Sequence, residues 1–226
     1  MATSTQNNHG AKTKGKDKGK VKEKWQSQKS SLTRDRIIIA TLECIVEYGY
    51  ESSTMAKIAK MAKVSLGSMQ YHFPAKIDAI KAAINYLHNK RLSDHQNDLQ
   101  NIPKGVDPMA YAIEVYWRHL NEAHFVAYQD LVIAARTDKE LASVLKPAYQ
   151  RFIKAWRGDA LSLIPDWNGQ KAQFELICDL GQYQMEGLAY GRLNNQISKE
   201  KTRDVLEFTK QLLVKMMADM NQSKSA

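Results

Sequence analysis

Residues 53–76 read Ser-Thr-Met-Ala-Lys-Ile-Ala-Lys-Met-Ala-Lys-Val-Ser-Leu-Gly-Ser-Met-Gln-Tyr-His-Phe-Pro-Ala-Lys. Two short helical patterns lie on either side of a tight turn at Lys63-Val64. Ser53 or Thr54 is placed to cap the first, whose inner face is Met55, Ile58, Ala59 and Ala62. Ser65 is placed to cap the second, with Met69 and Phe73 facing inward and polar or aromatic side chains on the other face. Two helices joined by so short a turn form a helix-turn-helix, whose second helix enters the major groove of DNA.

The chain around this motif reads as helix after helix, with apolar residues recurring at three and four and no sustained alternation. A first helix over about 33–48 buries Ile38, Leu42, Ile45 and Val46 and stops at Gly49. After Pro74 a fourth helix runs to about Gln100, followed by a Pro/Gly break over 101–107. Asp107-Pro108 starts the next helix as cap and first-turn proline. A capping box at Thr137…Glu140 starts another that runs to about Leu163, with Pro147 and Gly158 as points of bending. A break at 165–169 precedes two long helices, about 170–193 and 198–221.

The charge is uneven. Residues 1–36 hold ten Lys/Arg against three acids, so +7 of the chain's +9 lies there. Such a run has too few apolar residues to form a core, and residues 1–30 are expected to be a disordered basic tail. It suits a counterion-releasing arm on DNA, or a solubilising tail without contacts. No signal peptide and no membrane span is legible, and a soluble cytoplasmic protein is the expectation. Cys44 and Cys178 sit in apolar helical patterns and read as reduced core residues.

Catalytic, metal and cofactor sites are not expected. His119/His124 and His88/His95 lack the i, i+4 spacing of a helical metal site, and no phosphate loop or nucleophile elbow is present.

Gly49-Tyr50, Ser53-Thr54, Ile58-Ala59, Ala62, Val64-Ser65, Gly67-Ser68, His72-Phe73-Pro74 and Lys76 together resemble the N-terminal domain of the tetracycline-repressor (TetR) family. The resemblance covers about residues 33–80. Beyond it, only the number and lengths of helices and the final pair are similar. It implies an all-α, TetR-like fold. A three-helix DNA-binding domain (31–76) would precede a larger helical effector-binding and dimerisation domain (77–226). Two positions depart from the family pattern: Lys63 stands where glycine is usual in the turn, and Leu66 where lysine or arginine is frequent.

The resemblance and the helix geometry together name a DNA-facing set. Gln70 suits readout of adenine N6 and N7, or reaches only phosphate. Ser68 and Tyr71 reach bases or phosphate, Leu66 a thymine methyl, and Gly67 allows close backbone approach. His72, Lys76 and Thr54 are expected on phosphates. Ser65 is a contact or only a cap; Tyr71 alternatively packs on the first helix, and His72 alternatively sits in the core.

The glycines of the penultimate helix and the broad apolar stripe of the last suggest a homodimer through a four-helix bundle, by way of Gly181, Leu188, Gly191, Leu206, Leu213 and Met216. Close packing within one subunit is the alternative. The aromatic-rich body suits an apolar or aromatic small-molecule effector, with Trp117, His124, Tyr128, Trp156 and Tyr183 as candidate lining. The function expected is a transcriptional regulator, a repressor released from a palindromic operator by that effector. A DNA-bound interaction protein and a DNA-coating factor are the alternatives.

Overall fold

The structure, a computed structural model, describes residues 13–162 and 170–222. Among these residues there are nine helices and no strand. They are α1 (Thr13–Ser52), α2 (Met55–Met61), α3 (Leu66–His72), α4 (Lys76–Gln100), α5 (Pro108–His119), α6 (Ala123–Ala134), α7 (Lys139–Ser162), α8 (Lys171–Leu193) and α9 (Lys199–Gln222). No described helix is long and apolar enough to cross a membrane. No described group of three or more His, Cys, Asp or Glu is placed to hold a metal.

The first helix begins earlier than its apolar stripe. Residues 13–30, expected to be disordered, continue α1 outward, while residues 1–12 of the expected tail lie outside the described residues. The packed half, with Ile37, Ile38, Leu42 and Ile45 buried, already supplies the helical nucleus. Adding Lys, Glu and Gln residues to an existing nucleus avoids the cost of starting a helix. The helical geometry ends at Gly49, where φ is +78°. Only glycine adopts such a backbone without strain, and it turns the chain toward α2.

The helix-turn-helix is closed by local hydrogen bonds. Thr54 Oγ1 accepts from Lys57 N (3.3 Å) at the start of α2, and Ser65 Oγ accepts from Ser68 N (3.1 Å) at the start of α3. The other candidate cap, Ser53, instead donates to Gly49 O (2.7 Å). Lys63 has φ +55°, the left-handed turn usually filled by glycine. Val64 N donates to Ala59 O and Lys63 N to Lys60 O, so two end carbonyls of α2 are satisfied. These bonds offset the strain of about 1 kcal/mol that lysine carries there.

Two apolar clusters organise the molecule. One joins α1, α2, α3 and α4 to α6 and α7, running from Ile37 through Ile58, Met69 and Ile80 to Leu131, Leu141 and Leu145. It crosses the boundary at 76/77, so head and body share one core. The other lies among α5, α6, α8 and α9, around Phe125, Phe174, Met185 and Leu213.

The sequence marks helix starts at 108 and 137 but not the break at Leu120–Glu122 that separates α5 from α6. The α7 cap is Asp138, whose Oδ1 accepts from Leu141 N (2.9 Å); Thr137, read as the cap, donates to Ala134 O instead. Helix α7 continues through Pro147. The expected break at 165–169 lies outside the described residues.

The seam between α4 and α7 is built of stacked rings. His88 stacks on Phe152 (4.8 Å between centroids) and His95 on Trp156 (3.7 Å, planes 14° apart). Neither imidazole has a protein hydrogen-bond partner, and burial pushes both pKa values down to about 4. Arg91 and Arg151 add to the depression at His88. Both rings are therefore neutral when folded, while the unfolded chain protonates them near pH 6.5. The unfolded state binds more protons between those values, so this stability is complete above about pH 6.5 and is lost as pH falls toward 4. Urea unfolding at pH 7.5 and 4.5 is expected to show the loss, of order 1–3 kcal/mol per imidazole. His88→Phe, which keeps the stacking and removes the titration, is expected to shrink the difference.

Candidate nucleic-acid interface and body cavity

Helix α3 is held from beneath and open above. Met69 is fully buried and Phe73 nearly so, which fixes the helix on the first core. On the opposite face Ser65, Leu66, Gly67, Gln70 and Tyr71 are exposed, with Ser68 and His72 half-buried. Tyr71 is 80% exposed, which rejects its packing on α1, and its ring meets His72 edge-on at 5.2 Å. His72 is not a core histidine. A Cβ placed on Gly67 would meet nothing within 4 Å, so nothing within the chain demands glycine there. Thr54, Ser65, Leu66, Gly67, Gln70 and Tyr71 are thus exposed on the head and Ser68 and His72 partly so, with Ser65 and Thr54 also acting as caps.

Lys76 departs from its expected role as a phosphate clamp. Its Nζ donates to Tyr50 O (2.6 Å) and sits 4.0 Å from the centre of the Tyr50 ring. Burial, the largest influence on it, lowers its pKa. The cations free to meet phosphate are others: Lys57, Lys60 and Lys63 are all exposed on α2 and its turn. Their regular spacing of three in the sequence, offset from the inner face of Met55, Ile58, Ala59 and Ala62, is the signal that marks them. Lys57 Nζ also lies 4.5 Å from the Tyr48 ring centre.

Tyr50 ties this head to the body. Its backbone N–H donates to Asp130 Oδ2 on α6, and its hydroxyl donates to Asp138 Oδ2 (2.6 Å) at the start of α7. The Leu141 N–H and then the Tyr50 hydroxyl hold the Asp138 carboxyl below its ordinary range. Burial and the Asp138 bond raise the Tyr50 phenol in turn. The positive φ of Gly49 is what points the Tyr50 N–H at Asp130.

The body holds an apolar cavity of about 110 Å³ between α4, α5, α7, α8 and α9. Ile113, Phe174, Ile177 and Met185 line it, with His95, Trp156, Arg157 and Gln182 as its polar or aromatic rim. Of the five residues expected to line an effector site, only Trp156 does so. Tyr128 and Tyr183 border a separate open groove between α6, α7 and α8, and Tyr183 is 63% exposed. Trp117 packs on the second core beneath Arg192, and His124 faces Glu122 at the start of α6. Aromatic content located the body but not the facing of each ring.

The residues assigned to dimerisation also need correction. A Cβ on Gly181 would lie 2.7 Å from Leu213 Cδ1, so this glycine serves close packing of α8 on α9 within the subunit. Leu188 and Leu213 are buried, Leu206 and Met216 are half-buried against the second core, and Gly191 faces Ile197. The outward apolar positions are Leu176, Leu180, Tyr183, Tyr190 and Leu193 on α8 and Phe208 on α9.

With this geometry in view, residues 37–83 match the family model for bacterial regulatory proteins of the tetR family. Over those residues the chain is similar to the N-terminal, DNA-binding part of that family. It is 26% identical over 121 residues to an uncharacterised HTH-type transcriptional regulator of Mycobacterium bovis, covering 54% of this chain and 62% of that one. It is 23% identical over 130 residues to the HTH-type regulator CymR of Pseudomonas putida, covering 58% and 64%. These alignments therefore span under two thirds of the relatives' lengths. Among solved structures, a TetR-family regulator from Rhodococcus sp. superposes with TM-score 0.63 at 18% identity, covering 81% of this chain and 98% of that one. FadR of Bacillus subtilis in complex with stearoyl-CoA gives 0.60 at 19%, covering 79% and 96%. These two likenesses show the fold.

Tyr50→Phe removes the hydroxyl bond to Asp138 and leaves the ring under Lys76. Its urea midpoint is expected to fall with helicity retained by circular dichroism, and Asp138→Asn to lower it less in the Tyr50→Phe background than alone.

Proposed function

We propose that this chain is a sequence-specific, DNA-binding transcriptional regulator, a homodimeric repressor released from a palindromic operator by a small apolar or aromatic effector. The observation that carries it is the α3 face: Gln70, Tyr71 and Ser68 stand outward on a helix whose other side is fixed by Met69 and Phe73. Gln70 presents a donor and an acceptor, the pair that adenine N6 and N7 require. Lys57, Lys60 and Lys63 on the neighbouring element supply charge for phosphates, which set register and carry little sequence information.

The dimer reading rests on the outward stripe Leu176, Leu180, Tyr183 and Tyr190 with Phe208 beside it. An apolar face of this length on one helix pair favours a partner surface, and a second copy supplies an identical one. Two heads then meet half-sites about 34–36 Å apart. The same exposed face supports the second reading, a DNA-bound protein that recruits a different partner. The effector reading rests on the apolar cavity among α4, α5, α7, α8 and α9. The FadR structure is a complex with stearoyl-CoA, so a protein of similar fold takes a small molecule.

Selection of bound sequences from random duplex DNA at about 150 mM salt is expected to enrich a palindrome. Enrichment of no sequence overturns the regulator reading. On the selected duplex, Gln70→Ala is expected to cost about 1–3 kcal/mol and to relax one base position in each half-site. Lys60→Ala is expected to weaken all sequences alike and to lower the salt slope by about 1. Leu180→Glu with Phe208→Glu is expected to sediment as a folded monomer; a dimer unaffected by both changes assigns this face to another partner.

A further inference from the structure

We propose that the body cavity takes an uncharged, single-ring organic molecule carrying one hydroxyl or carbonyl group, which hydrogen-bonds to His95 while its ring lies against Ile113, Phe174 and Met185. This rests on the effector reading and specifies its chemistry.

Three observations converge. The first is size. An apolar cavity of ~150 Å³ accepts benzene, and this one measures about 110 Å³, so one ring fills it after small adjustments of Met109, Met185 and Met217. A longer chain or a fused ring system needs helices to part.

The second is charge. Arg157 is the one Arg, Lys, Asp or Glu side chain in the lining, and its guanidinium is already paired with Asp179. Tyr116 Oη donates to Glu186 (2.7 Å), and Gln182 Nε2 donates to Tyr149 Oη (2.9 Å) and Glu186 (3.1 Å). An ion entering here loses its hydration and finds no unpaired counter-charge, a cost of several kcal/mol. A neutral ligand escapes that cost.

The third is the unmet imidazole. His95 lines the cavity and is 4% exposed, yet neither ring nitrogen has a protein partner. A buried polar group left in that state is costly, and a ligand that reaches it removes the cost. Stacking on Trp156 at 3.7 Å fixes the plane of the ring, so only a group arriving in that plane bonds well. A neutral imidazole offers one donor and one acceptor, which a hydroxyl or a carbonyl can meet.

The test is calorimetric titration of the full chain with p-cresol, toluene and benzoate at pH 7.5. The proposal expects p-cresol to bind about 3- to 10-fold more tightly than toluene and benzoate not to bind measurably. In His95→Phe both neutral rings are expected to bind equally. Equal binding of p-cresol and toluene by the wild-type chain overturns the proposal without recourse to a variant. Benzoate binding most tightly, or no binding of any of the three, overturns it too. Release of the selected duplex separates the two readings. Binding through His95 without DNA release keeps this site and removes the effector reading. Release by a compound whose binding is charged or independent of His95 keeps the effector reading and removes this proposal.

Discussion

The link between Tyr50 and the body fixes where the DNA-facing helix can sit. One residue at the end of α1 gives its N–H to Asp130, its hydroxyl to Asp138 and its carbonyl to Lys76. Asp138 also caps α7, and Lys76 opens α4. A single side chain and its backbone thus join four helices, α1, α4, α6 and α7. The apolar cluster below it runs without interruption from Met69 beneath the groove-facing surface to Leu141 and Leu145 in the body. A movement of α6 or α7 therefore displaces the head or breaks these bonds.

The body cavity lies at the other end of the same frame. His95 and Trp156 face it, and four residues back along α7 Phe152 meets Trp156 and stacks on His88. Closely packed rings transmit displacement because interiors have few voids to absorb it. A ligand that separates His95 from Trp156 moves α4 against α7, and α4 begins at Lys76 under Tyr50. Such a ligand shifts the head only to the extent that it binds the two arrangements with different affinity.

Much of this was legible from sequence wherever local chemistry decides the outcome. Caps at Thr54, Ser65 and Asp107, the stop at Gly49 and the turn at Lys63 follow from short-range hydrogen bonds and allowed φ. The buried partners Met69 and Phe73 follow from helical spacing. What failed depended on which way a helix is rotated among several neighbours. Tyr183 and Gly181 are two residues apart on α8; one faces solvent and the other Leu213. Periodicity gives a stripe but not its partner: it leaves a subunit contact and packing within one subunit both open at Gly181, which lies against Leu213 of the same chain. His88 and His95 continue the apolar stripe of Ile80, Ile84 and Leu87, a signal that was present but masked by their polarity. The Tyr50 contacts join residues 80 and 88 positions apart, which no local pattern encodes.

Amide hydrogen exchange of the wild-type chain at pH 7 tests the shared frame most directly. The account predicts that the amides of Ala62, Met69 and Phe73 in the head open with the same free energy as those of Leu131 and Leu141 in the body, because one core holds them all. Head amides opening at a free energy several kcal/mol lower, with the body amides still protected, would contradict it.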